Sequence, residues 1–534
     1  MLEKWWILSW SLENNMSITS FSFLLLVTFG VMVYYLFPKK LQWVELLIVS
    51  LLFYYYAATL YTIGYLVVST MIAYVSTMLI SKLRNRTGCK PAVPLAITIT
   101  ALAVNILIWF VIKGRGLWAL FAERLLSHVY ISQLDSLLNM QLIAALGMGY
   151  YTLQILGYII DCYWENITPQ RNPLKLFLFV AYFPQLTTGP ISRYSQLQSL
   201  YSGHKFEYRN IAFGAQRILW GFVKKIVLAE RVGILVSTIN ASPDLYTGFY
   251  SWLVILLYPL QMYADFSGCM DIVLGVSEMF GIQLAENFNN PFFARTSQEF
   301  WQRWHITLGT WAKDYVLYPL LKSKPMVKFG KLTKKKFGKK QGKFLVNLLG
   351  MFVLWMVMGI WHGGLRYIVG VSLWYWVILM LGELLSPVFV RITKAFNMKT
   401  ESFAWHLFQS GRTYLIYAIG ATFFSLGVTG GFALLKDAWK VLSVKDYANP
   451  WIFFDGSLKS LGITYGDINL MIIVVAMLII VAILREKYGY ARIWIEKQSF
   501  LFRWAIWLGL FVFVLIWGKY GPGYSASEFI YQGF

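Results

Sequence analysis

The stretch AVPLAITITALAVNILIWFV, Ala92–Val111, carries no charged side chain from end to end. It is as long as the roughly 20 residues a helix needs to cross the hydrocarbon of a bilayer. Working outward, further charge-free runs appear at Ser20–Phe37, Leu60–Ile80, Leu142–Ile160, Tyr367–Gly382, Met471–Leu484 and Trp504–Trp517. Of the 534 residues, 58% are hydrophobic and 13% charged, and a soluble domain carries about twice that charged share. Packed as core helices of a soluble protein, these runs would have too little polar surface to cover them. The expected fold is therefore all-α: a polytopic integral membrane protein. It has about ten to thirteen membrane helices, short and re-entrant ones included, around a central polar tunnel. No soluble domain, linker or internal repeat interrupts the pattern, so residues 1–534 read as a single membrane domain.

The net charge of +22 does not point to nucleic acid, because of where it sits. Lys322, Lys324, Lys328, Lys331, Lys334, Lys335, Lys336, Lys339, Lys340 and Lys343 form an acid-free segment, read as a loop between apolar runs. Smaller basic clusters, Lys39–Lys40, Lys82–Lys90, Arg391–Lys399 and Arg485–Lys497, flank other spans. Short basic loops beside spans are held on the cytoplasmic side, where they meet anionic headgroups. Docking of an acidic carrier or a CoA phosphate on the Lys-rich segment stays open. By the same rule, Lys436–Asp467, with both charge signs, lies outside. Arg485–Arg503 lies inside, and a last span leaves 519–534 as an extracytoplasmic tail. Cys89, Cys162 and Cys269 make no CxxC pair, and no removable signal peptide is read at the N-terminus.

The middle of the chain is less regular. Gln154–Tyr158 and Phe183–Arg193 place polar residues, Pro184, Gly189 and Pro190 at membrane depth, where irregular backbone must be buried in protein or line a wet cavity. Leu219–Leu235, with Lys224, Lys225, Glu230 and Arg231 beside apolar residues, predicts an interfacial amphipathic helix. Asp265, Asp271, Asn287, Asn289, Arg295 and Glu299 punctuate Tyr263–Trp311 and point to a polar chamber.

Five histidines carry the candidate chemistry. His204, in a charged loop, is expected to be solvated, and His128 and His406 to sit at span ends. His362 lies in Met358-Gly-Ile-Trp-His-Gly-Gly364, at a break between long apolar runs. An ionisable residue at that depth is a functional candidate, and paired glycines admit a substrate close to the ring. A structural histidine bonded across a helix break is the alternative, and position alone does not separate the two. His305 lies in Phe300-Trp-Gln-Arg-Trp-His305. On a continuous helix it would share a face with Trp301, Gln302, Leu308 and Gly309, and such an aromatic helix fits the membrane surface as well as a site. Without HExxH or a His/Cys cluster at ligand spacing, no metal is expected. No Gly-x-Ser-x-Gly elbow and no phosphate-cradling glycine loop is present.

Three segments together, Tyr258-Pro-Leu-Gln-Met-Tyr-Ala-Asp-Phe-Ser-Gly268, Glu286-Asn-Phe-Asn-Asn-Pro-Phe292 and Glu299-Phe-Trp-Gln-Arg-Trp-His-Ile306, resemble the core of membrane-bound O-acyltransferases. The alginate O-acetyltransferase branch is the nearest in pattern. Trp361-His362-Gly363 is similar to its signature, as are Tyr151-Thr-Leu-Gln154, Tyr158, Asp161, Phe183-Pro-Gln and Gly189-Pro190. The most specific part of the resemblance runs over 144–385. It implies that His362 is a general base and that His305 supports it. Asn287, Asn289, Arg303, Trp304, Trp361, Asp265 and Gln154 would line the tunnel, bind substrate or steady an oxyanion. It implies no bound cofactor, and acetyl-CoA or another acyl thioester as donor from the cytoplasmic side. The terminal Phe529-Ile-Tyr-Gln-Gly-Phe534 resembles an aromatic motif in which the tyrosine, here Tyr531, is an acyl relay. An interfacial anchor is the alternative for that residue.

The function expected from this resemblance is acyl transfer, foremost O-acetylation of an exported or cell-wall polysaccharide. An extracytoplasmic acyltransferase- or esterase-like partner enzyme would complete it, in a bacterial cytoplasmic membrane. Two other expectations remain: D-alanyl transfer to an envelope polymer from a carrier protein, and a proton-coupled transporter or flippase using His362 and Asp265.

Overall fold

The computed structural model describes residues 16–58, 62–113, 146–246, 248–363, 367–440 and 460–520. Among them the chain is mainly helical and forms no β-strand longer than an isolated bridge. Among the described residues, eight helices are long and apolar enough to cross a membrane, and two shorter apolar helices, Phe21–Leu36 and Gln42–Ala57, add to them. The protein is an all-α polytopic membrane protein. Its helices divide between two compact units. One contains the described residues up to Phe222 with Cys269–Ala285; the other contains Val223–Gly268 and the chain from Glu286 onward.

The first unit is built from α1 (Phe21–Leu36), α2 (Gln42–Ala57), α3 (Ile63–Arg84), α4 (Ala92–Ile112), α5 (Met148–Tyr163), α6 (Pro173–Ala181), α7 (Phe183–Leu186) and α8 (Tyr208–Phe222). Phe183 packs edge-on against Phe23 (6.2 Å) and Phe280 (6.0 Å), which ties the irregular 183–192 segment into the core. That whole segment is buried, as irregular backbone in a membrane requires. His204 is half-buried rather than solvated. Its Nδ1 lies 2.8 Å from the Tyr34 hydroxyl, while the Gln42 carboxamide accepts from its backbone N–H (2.6 Å) and donates to its carbonyl (3.1 Å).

In the second unit a π-helical turn, Val223–Ala229, leads into α9 (Glu230–Ala241). This segment is not an interfacial amphipathic helix. Lys224, Lys225, Glu230 and Arg231 are all buried. Lys225 bridges Asp265 (2.5 Å) and Glu230 (2.9 Å), Lys224 donates to the Ser267 carbonyl and hydroxyl, and Arg231 pairs with Asp467 (2.8 Å). Charge alternating with apolar residues looks like a surface stripe in one dimension. Here Lys224, Lys225 and Arg231 each meet a counter-charge or acceptor from a distant helix, and Glu230 meets Lys225, which makes burial tolerable. α10 (Phe249–Met279) supplies Asp265 and Ser267.

The chain continues through α11 (Ser297–Arg303), α12 (Ile306–Ala312), α13 (Tyr318–Lys322) and α14 (Lys324–His362). Then come a π turn, Ile368–Leu373, and α15 (Trp374–Ala395), α16 (Phe403–Lys440), α17 (Tyr465–Tyr488), α18 (Ala491–Glu496) and α19 (Phe500–Trp517). The Lys-rich segment is helical, not a loop. Ser323 caps α14 by accepting from Met326 N–H, and lysine is a good helix former. Gly338, at φ 81 and ψ 168, then turns the chain back on itself. A Cβ on Gly342 would lie 2.6 Å from the Lys334 nitrogen, and one on Gly330 would lie 3.3 Å from the Val346 side chain. These pairs are symmetric about Gly338, so α14 begins as a tight antiparallel hairpin. Arg391 and Lys394 likewise sit in the last turns of α15 instead of in a loop.

Candidate active site

His362 is the last residue of α14 and is 7% exposed. Gly363 ends the helix at φ 82, donating its N–H to the Ile360 carbonyl (2.9 Å). That conformation suits glycine and strains any other residue. Among the described residues no atom lies within 4 Å of where a Gly363 side chain would begin. One turn earlier, a Cβ on Gly359 would overlap the Ser372 hydroxyl of the π turn. The end of α14 is thus pressed against the following segment, and this fixes the height of the imidazole. The ring is walled by Trp361 (4.7 Å), Phe424 (5.8 Å) and Tyr367 (6.0 Å).

His305 stands between α11 and α12, 4% exposed, at φ 46 and ψ 52. A continuous helix, which would have put His305 on one face with Trp301 and Leu308, does not form here. The cause lies in the preceding strip: Phe288 and Trp304 form an antiparallel bridge, Asn289 N–H donates to the Arg303 carbonyl (2.9 Å), and Ile306 N–H donates to the Asn287 carbonyl (3.0 Å). These bonds intercept backbone groups that a helix would have used. A left-handed non-glycine residue is uncommon, and such strain gathers at functional positions.

Asn287 is fully buried and its side chain organises the imidazole. The Asn287 Oδ1 position receives the Thr307 backbone N–H (3.0 Å) and lies 2.9 Å from the Thr307 hydroxyl and 3.1 Å from His305 Nδ1. A backbone amide only donates, so the atom it meets is the carboxamide oxygen, not its nitrogen. A carboxamide oxygen only accepts, so His305 Nδ1 carries a proton. In the neutral ring Nε2 is then the acceptor. This network selects one tautomer.

The two histidines meet over one aromatic ring. Trp361 lies 6.4 Å from the His305 ring and 4.7 Å from the His362 ring. Phe266 packs edge-on against His305 at 4.9 Å. The second unit therefore gathers His305, Asn287, Trp361 and His362 in one buried cluster.

Other candidates are placed differently. Trp304 is buried against Phe288 (5.0 Å) and Tyr417 (5.0 Å) and supports the His305 turn from behind. Arg303 pairs with Glu299 (3.0 Å) and Glu486 (2.6 Å), and Asn290 Nδ2 donates to the same Glu486 (3.0 Å). The Asn289 side chain is exposed. Asp265 is held by Lys225. Gln154 is buried on α5 in the first unit. Tyr531 and His128 lie outside the described residues. His406 sits near the start of α16, 3.9 Å from a Glu401 carboxylate oxygen.

Sequence reasoning missed Thr307, Phe266, Tyr367, Phe424 and Glu486. Thr307 bonds to Asn287, 20 residues earlier in the chain, so no local pattern marks it. The others reach the site only through packing.

A polytopic helical fold that buries two histidines against one tryptophan points to a class. Residues 169–428 match the model of MBOAT, the membrane-bound O-acyltransferase family. That region, just under half of the chain, is similar to this family, and the relatives found include alginate O-acetylases. The chain is 29% identical over 280 residues to a probable alginate O-acetylase AlgI of Pseudomonas syringae pv. tomato, covering 52% of this chain and 48% of the relative. It is 28% identical over 292 residues to the peptidoglycan O-acetyltransferase of Helicobacter pylori, covering 50% of each. It is 31% identical over 230 residues to the teichoic acid D-alanyltransferase of Bacillus subtilis, covering 42% of this chain and 54% of the relative. The similarity thus spans about half the length of these relatives.

Proposed function

We propose that this chain is a membrane-bound O-acyltransferase that moves an acetyl group from a cytoplasmic acyl thioester toward an exported or cell-wall polysaccharide. One observation carries the reading: His305 and His362, far apart in sequence, are buried against the same Trp361 inside the family-matched region. The likeness to an alginate O-acetylase, a peptidoglycan O-acetyltransferase and a teichoic acid D-alanyltransferase supports an envelope polymer as acceptor.

In this reading neutral His362 takes the proton of an acceptor hydroxyl as the oxygen attacks the thioester carbonyl. The C–O bond forms, the C–S bond breaks, and the imidazolium returns its proton to the departing thiolate. Positioned acid–base catalysis of this kind contributes about 10² to 10⁴-fold. His305, with Nδ1–H spent on Asn287, offers Nε2 as an acceptor that orients the hydroxyl. Trp361 and Phe266 exclude water, which strengthens each polar contact within the cluster.

Tyr531 would accept the acyl group on the outer side and hand it to an esterase-like partner enzyme, splitting the transfer into two covalent steps. Its position in the bacterial cytoplasmic membrane follows from the same reading. A second reading, D-alanyl transfer from a carrier protein, is favoured by the likeness to the B. subtilis relative. Purified protein supplied in turn with labelled acetyl-CoA and with a D-alanyl carrier-protein thioester separates the two. Thiol release from acetyl-CoA supports the first, and release only from the carrier thioester supports the second. Release from neither, with envelope partners and acceptor present, would contradict both.

A further inference from the structure

We propose that the Lys-rich hairpin at the start of α14 is a docking surface for anionic lipid headgroups. It is a phosphate-bearing membrane contact separate from the histidine cluster and independent of the acyl-transfer reading. All ten lysines from Lys322 to Lys343 are exposed, and none is paired with a carboxylate among the described residues. The chain from Tyr315 to Gly382 contains no acidic residue at all. The turn at Gly338 and the close approach of Gly342 to Lys334 fold this charge into one compact element instead of trailing it through solvent.

Three features favour a lipid surface. The second arm runs on as Phe344–His362, free of charged Lys, Arg, Asp and Glu. At about 1.5 Å per residue this is roughly 28 Å of helix, close to the roughly 30 Å hydrocarbon thickness. The charge-free arm thus ends at Lys343, and the Gly338 tip stands only roughly 8 Å beyond it, a distance within about one Debye length. Val327 (45% exposed), Leu332 (58%) and Phe337 (48%) sit among the lysines, apolar groups that a headgroup layer accepts. Finally, the cations are all lysine, with no arginine between Lys322 and Lys343. Arginine's rigid fork suits a built phosphate site, whereas flexible ammonium stems suit a diffuse array of headgroups.

The test uses the full-length chain, purified and delipidated in detergent. It is titrated with phosphatidylglycerol or with phosphatidylcholine of the same acyl chains. Retained lipid is counted by native mass spectrometry and thermal unfolding is followed in parallel. Phosphatidylglycerol should be retained in preference to phosphatidylcholine, and raising the salt should erase the preference. Replacing Lys331, Lys334, Lys335, Lys336, Lys339 and Lys340 with Gln should weaken apparent phosphatidylglycerol affinity by at least about tenfold. The same six changed to Arg should keep it. Equal retention of both lipids, or a preference that survives the Gln changes, would overturn the proposal. So would a stabilising shift with adenosine 3′,5′-bisphosphate, or binding of an acidic acyl carrier protein, that the Gln changes abolish while the lipid preference stays. If the Gln variant does not fold, the salt dependence of wild type decides, and a salt-insensitive preference counts against the proposal.

Discussion

Asn287 has a single side-chain oxygen facing His305, and the chemistry of the pair depends on that oxygen only accepting. Replacing it with Asp keeps the acceptor and adds a negative charge that favours the imidazolium. The acid limb of the pH–rate profile for Asn287→Asp should therefore move to higher pH, with activity retained on the alkaline side. Asn287→Leu removes the acceptor altogether and leaves Thr307 N–H buried, so activity should fall at every pH. A common pH profile for the two variants would show that the tautomer is not what Asn287 controls. Gly363 makes a narrower prediction. Its φ of 82 and ψ of 117 lie outside the left-handed helical region and cost an L-residue roughly 1–3 kcal/mol, while the space beside it is open among the described residues. Gly363→Ala should lower thermal stability by about that amount. A melting temperature equal to wild type would contradict the strained-cap account. The helix break at His362 was legible from its flanking glycines, while the roles given to His362 and His305 rest on the resemblance. The Asn287–Thr307 clamp was not legible, because the antiparallel strip that creates it joins residues whose side chains give no periodic signal.

Helices behaved unevenly under sequence reading, and the reason is physical. Ala92–Val111 and Met471–Leu484 became α4 and α17 with bounds shifted by a few residues, since a long charge-free run has only one way to lie in a bilayer. The charged segments went astray. Val223–Ala229 carries two lysines that a one-dimensional pattern assigns to an interface, yet Asp265 and Asp467 arrive from remote helices to neutralise Lys225 and Arg231. Breaking such a buried pair from one side leaves an uncompensated charge and costs about 3–5 kcal/mol, whereas replacing both members by apolar residues is close to neutral. Lys225 stands between Asp265 and Glu230, so Lys225→Met should destabilise the purified protein strongly, and adding Asp265→Leu and Glu230→Gln should recover much of the loss. A triple variant no more stable than Lys225→Met would remove the case for a structural cluster. Activity regained along with stability would show that Asp265 serves the fold, while stability regained without activity would return it to the candidate site.

At the scale of the molecule, the fold class and the likeness to the family were legible because composition and several ordered motifs each pointed the same way. The partition of roles among polar residues was not. Arg303 looked like an oxyanion donor beside His305, but α17 brings Glu486 against it, and no linear spacing predicts that contact. The account of the whole chain rests on one claim, that the imidazole at the end of α14 drives transfer of an acyl group. The most direct test incubates purified wild type and His362→Ala with radiolabelled acetyl-CoA, acceptor polysaccharide and partner enzyme, and follows thiol release together with label on polymer. Wild type should release thiol and acetylate the polymer. His362→Ala, folded by its melting curve, should do both at least about 10²-fold more slowly. Equal rates of thiol release from the two proteins would contradict the assignment of His362 as the base.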